Sequence, residues 1–163
     1  MTTNTTRRAA LITGGLVVSG AVFAGVASAT PRNFGAHMTT DAHEEPDTNA
    51  VGQVTFQLRN NKLSFRLIVA NIQDVTMGHI HLEDVGGPVS VWLHDFETAS
   101  PSLIEGRVNG VVATGTITDE EVGGPIDTVA DLVDEIDNEN AYVNVHTEAF
   151  PGGEIGGQIH ARN

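Results

Sequence analysis

The stretch Tyr142–Ile159, YVNVHTEAFPGGEIGGQI, decides how this chain is read, because it has the form of a complete β-hairpin. In the first arm Val143 and Val145 alternate with Tyr142, Asn144 and His146; in the second, Ile155, Gly157 and Ile159 alternate with Glu154, Gly156, Gln158 and His160. Pro151-Gly152-Gly153 supplies the turn, proline fixing φ and the glycines free to take positive φ. Sharing one apolar face sets Val145 opposite Ile155 or Gly157 and brings His146 opposite Glu154 or Gly156. A histidine beside a carboxylate on the polar face is the expectation, with Glu154 orienting the His146 ring.

Upstream, the same period of two recurs. Val54, Phe56 and Leu58 share a face, Asn60-Asn61 makes a tight turn, and Leu63, Phe65, Leu67 and Val69 return. A third strand is expected at Gly78–Leu82, and Gly86-Gly87-Pro88 breaks it. Val89, Val91 and Leu93 define a fourth, with Ser90, Trp92 and His94 pointing the other way. Ser100–Asn109 reads as a connection, and Val111, Ala113, Gly115 and Ile117 as a fifth strand. Then the period changes. Ile126, Val129, Leu132, Val133 and Ile136 recur at helical spacing with Pro125 suited to the first helical position, so one short helix is expected over 125–138. The acidic residues around it lack the alternating ligands and central glycine of a calcium loop. Short strands, turn signals and one inserted helix predict an all-β fold, an antiparallel sandwich.

The Tyr-Val-Asn-Val-His-Thr strand followed by Pro-Gly-Gly-Glu-Ile resembles the signature of the CHRD family, named after chordin. Gly78-His79-Ile80-His81-Leu82, with Gly87-Pro88-Val89 and Val91-Trp92-Leu93 after it, is similar to that family too. The resemblance runs from about Ala50 to His160, which sets a domain at 50–163. It implies an extracellular, immunoglobulin-like β-sandwich, distantly similar to copper/zinc superoxide dismutase and without a settled activity.

Ahead of that domain, Arg7-Arg8 precede an uncharged run from Ala9 to Ala29 that ends in Ala27-Ser28-Ala29. Residues 1–29 therefore read as a signal peptide of twin-arginine kind, secreting the protein or delivering it to the cell envelope. The competing reading is an uncleaved membrane anchor, since the run is long enough to span a bilayer. Residues 30–49, rich in Thr, Pro, Asp, Glu and Asn, read as a flexible acidic linker, with His37 and His43 given no role.

Asp and Glu outnumber Lys and Arg by 21 to 8, a net charge of −13, which argues against nucleic acid and anionic lipid as partners. Such acidity suits solvation in high salt, as in secreted proteins of halophilic microbes. With no cysteine there is no disulfide framework, thiolate site or lipidated cysteine.

His79 and His81, two apart on a strand, leave the same face about 6.5–7 Å apart at Cα. Ile80 and Leu82 take the core side, so both histidines lie on the outer face, as His146 does on its own strand. If the strands adjoin, the three imidazoles form a nitrogen-rich site suited to copper or zinc. His94 joins them only if its strand is adjacent. The competing reading has these histidines bonding to backbone groups and fixing loops over the sheet. The resemblance to copper/zinc superoxide dismutase extends to the His-x-His pair and the later histidine, but its zinc loop and paired cysteines have no counterpart, so dismutase activity is not expected. No nucleophile elbow or glycine-rich phosphate loop is present. The sequence thus supports two functions: a non-enzymatic module for an unidentified protein or cell-surface partner, and a metalloprotein built on His79, His81 and His146.

Overall fold

The computed structural model describes residues 32–162, apart from 45, 84–85, 96 and 99–101. The targeting segment expected at 1–29 lies outside the described residues. Among the described residues, eight strands and one α-helix follow in order, with a short 3-10 turn at Thr40–Ala42 between the first two strands: β1 (Arg32–Met38), β2 (Val51–Arg59), β3 (Lys62–Leu82), β4 (Val89–His94), β5 (Ile104–Ile117), α1 (Val129–Asp137), β6 (Ala141–Thr147), β7 (Ile155–Gln158) and β8 (His160–Arg162).

All strand pairs are antiparallel, and the main sheet runs β7-β6-β3-β2-β1-β8. β3 organises it. Its first half lies between β2 and β5, and its last residues lie between β6 and β4. Register shifts near Ile72 and Val75, with Asn71 at φ 59° and Asp74 at φ 52°, turn the strand from one set of neighbours to the other. The expected third strand is therefore the far end of a longer one. At the other edge, the Thr39 and Gly156 backbones exchange two hydrogen bonds of 3.0 Å, so the end of β1 meets β7 and the sheet nearly closes on itself. The result is an all-β fold, as expected.

Apolar alternation explains the core. Phe34, Val54, Phe56, Leu63, Leu67, Ile80, Val143, Val145 and Ile155 are fully or almost fully buried. Asn60 and Asn61, at φ 49° and 57°, form the tight β2–β3 turn in the left-handed region that asparagine tolerates. The closing hairpin takes the register Val145↔Ile155.

Three sequence expectations need correction. The segment 30–49 contains β1 rather than only a linker, because Phe34, Ala36 and Met38 alternate inward and fill the core. Ser100–Asn109 is not wholly a connection, since β5 starts at Ile104; its sparse burial left no apolar signal. The helix starts at Val129, not at Pro125. Thr128 caps it by accepting from the Asp131 N–H while the Asp131 carboxylate accepts from the Thr128 N–H, a box that satisfies two otherwise unpaired donors.

Candidate metal centre

His79 and His81 sit near the end of β3, where β6 flanks them on one side and β4 on the other. His146 stands on β6, two residues from Asn144, the register partner of His79. Ile80, Val143 and Val145 point into the core, so parity sends the three histidines to the opposite face. That face is covered, however. His79, His81 and His146 lie on the outer face expected for them, yet are only 3%, 8% and 7% exposed.

One donor nitrogen from each ring lies within 4.8 Å of the others. The ring centroid of His79 is 4.5 Å from that of His81 and 4.6 Å from that of His146. Backbone carbonyls orient two of the rings: His81 Nδ1 donates to Gly87 O at 2.6 Å and His146 Nδ1 to Pro151 O at 2.8 Å. A carbonyl only accepts, so Nδ1 carries the proton and Nε2 the lone pair in both. His146 Nε2 and His79 Nδ1 are buried without a hydrogen-bond partner. Burial holds His79 neutral, its pKa pushed down to about 3 with help from His146 and His81. Burial likewise lowers His146, and the Pro151 bond opposes that shift. Converging imidazoles, two of them disfavoured from charging by burial and each of those two with an unpartnered nitrogen, are what a transition-metal ion requires of its ligands.

Glu154 does not orient His146. Its carboxylate accepts from Thr48 Oγ1 and Thr147 Oγ1, each at 2.8 Å, while its own N–H donates to Val145 O. Hairpin parity failed here because Glu154 lies beyond the last regular pair, Val145↔Ile155, where the chain leaves the ladder. His94 is also apart from the cluster: although β4 adjoins β3, its Nε2 donates to Ser102 O at 3.0 Å.

Two further residues border the site. His43 donates from Nε2 to Asn144 Oδ1 at 2.8 Å and packs so closely on Gly153 that any Cβ there would collide with it. The side chain of Trp92 meets His79 edge-on, centroids 4.9 Å apart, and remains 42% exposed. His43 carried no periodic signal, whereas the Trp92 position was legible from strand parity alone.

The CHRD domain model matches residues 34–159. The chain belongs to the CHRD family. No curated protein and no solved structure matches it. The family match begins inside β1, in agreement with the structural role of that strand.

Proposed function

We propose that this CHRD domain is an exported metal-binding protein of the cell envelope, with His79, His81 and His146 as ligands for one copper or zinc ion. The observation that carries the reading is the pair of buried nitrogens, His79 Nδ1 and His146 Nε2, left without partners inside a cluster whose donors lie within 4.8 Å. An unsatisfied buried donor or acceptor costs about 1–3 kcal/mol. Two of them on neighbouring rings are a burden unless something binds there. Fixing loops accounts for His81 and His146, which hold the Gly87 and Pro151 carbonyls, but leaves Nδ1 of His79 unexplained. Bound there, the ion would supply Lewis acidity or, as copper, a one-electron couple. Export rests on Arg7-Arg8 and Ala27-Ser28-Ala29.

Metal content of protein purified without chelator, with melting curves in added copper and zinc, tests the reading. Wild type is expected to hold about one ion per chain and to melt higher with metal, and His79→Ala and His146→Ala to lose both properties. A wild type with neither property rules the site out.

Membership of the CHRD family supports a second reading, an interaction module, and one feature favours it. Trp92 borders a cleft of about 620 Å³ with Leu93, His94, Asp95, Glu120 and Glu121. A half-exposed indole beside an open cleft is the sort of anchor that interfaces use. Envelope pull-downs at native salt with wild type and Trp92→Ala check it; recovery of the same proteins by both excludes this face.

A further inference from the structure

Three imidazoles leave a four-coordinate ion one ligand short. Among the described residues, no carboxylate joins the cluster, since the group of convergent His, Cys, Asp and Glu donors consists of the three histidines. Glu154 is engaged with Thr48 and Thr147, and Asn144 Oδ1 with His43. The missing donor has a different candidate. Met77 is the register partner of His146 across β3 and β6, and it precedes His79 by two residues on the same strand. Cross-strand partners and i, i+2 neighbours share a face, so Met77 emerges beside both ligands. Gly78, between Met77 and His79, faces Leu67 and Val145 on the core side, which confirms the parity. The Met77 side chain is half-buried and lines a cleft of about 330 Å³ together with Pro151, whose carbonyl orients His146. An unbranched thioether with three rotatable bonds beside open space is able to swing onto a neighbouring ion.

We propose that Met77 supplies the fourth ligand of this centre through its sulfur, and that the resulting three-imidazole, one-thioether set selects cuprous copper over zinc. This rests on the three-histidine reading above. Two physical arguments favour the monovalent ion. A thioether is a soft donor, matched to Cu(I) and poorly to Zn(II). The four donors are also all neutral, and the cost of burying an uncompensated charge grows with its square, so a dication is penalised far more than a monocation.

Competition titrations with chromophoric Cu(I) and Zn(II) chelators on wild type, Met77→Leu and His79→Ala test the proposal, together with X-ray absorption of the Cu(I)-loaded protein. Met and Leu are close in volume, so Met77→Leu is expected to keep the metal-free melting temperature of wild type. It should lose at least tenfold in Cu(I) affinity, stay within twofold for Zn(II), and lose a sulfur scatterer present in wild type. Unchanged Cu(I) affinity in Met77→Leu, an equal loss for both metals, or a nitrogen-only spectrum in wild type overturns the role of Met77. If His79→Ala instead binds both metals like wild type, the three-histidine centre has failed, and the thioether proposal with it.

Discussion

His79 has a depressed pKa, about 3 against an ordinary 6.5, because burial and two neighbouring imidazoles oppose its charge. The unfolded chain takes up a proton at this residue below pH 6.5 while the folded chain refuses it, so acid favours unfolding. The associated stability is fully present above pH 6.5 and disappears as pH falls from there towards 3. His146 is lowered in the same direction. A histidine raised by Glu154 would have behaved oppositely, but Glu154 serves Thr48 and Thr147 instead. A metal bound at the proposed site would add to the trend, since protons compete with the ion for the same lone pairs. We therefore expect the metal-free protein to melt at constant temperature above about pH 7 and progressively lower on acidification to pH 4. His79→Phe should flatten that slope; an identical slope in the variant would show that the ring charges freely in the folded state.

At the scale of elements, the helix offers the cleanest measurement. Thr128 and Asp131 cap α1 reciprocally, and Val129, Leu132, Val133 and Ile136 pin its other face to the sheet. Thr128→Ala is expected to destabilise the protein by about 1 kcal/mol, read from denaturant midpoints, with no effect on metal content. A change below a few tenths would mean that packing alone sets the helix start. The helix was legible in the sequence because its apolar residues follow the 3.6-residue period, and its start was misjudged because Pro125 is a permissive signal while the Thr128–Asp131 box is a directive one. Strands with one buried face were legible from a period of two instead: Val54, Phe56 and Leu58 alternate without interruption. β5 was legible only in part, since Glu105, Gly106 and Arg107 are exposed and carry no period. The His79, His81 and His146 cluster was readable from parity plus one assumption, that their strands adjoin. The role of Glu154 was not, since parity ends where the hydrogen-bond ladder does.

At the scale of the molecule, the decisive feature is closure through β1. Its register with β2 runs from Arg32↔Leu58 to Met38↔Gly52, and β8 pairs with its other edge. Phe34 and Met38 are wholly buried, and Thr39 continues the strand into the two hydrogen bonds with Gly156 that bring it against the closing hairpin. Truncating a buried Phe or Met to Ala costs roughly 3–5 and 2–5 kcal/mol respectively. Together these losses are comparable to the whole stability of an ordinary domain, about 5–15 kcal/mol. Removing β1 would also strip β2 of a partner, leaving Val54 and Phe56 uncovered on an exposed edge that invites aggregation. A chain that begins at Ala50, the boundary suggested by the family resemblance alone, is therefore expected to show no cooperative melting and to precipitate. One that begins at Thr30 should melt cooperatively, within a few degrees of the full chain. Equal melting of the two would mean that β1 is an accessory to the fold. The His146 strand would then have to keep its place beside β3 without the contact between β1 and β7, and metal affinity would be the more sensitive measure of whether it does.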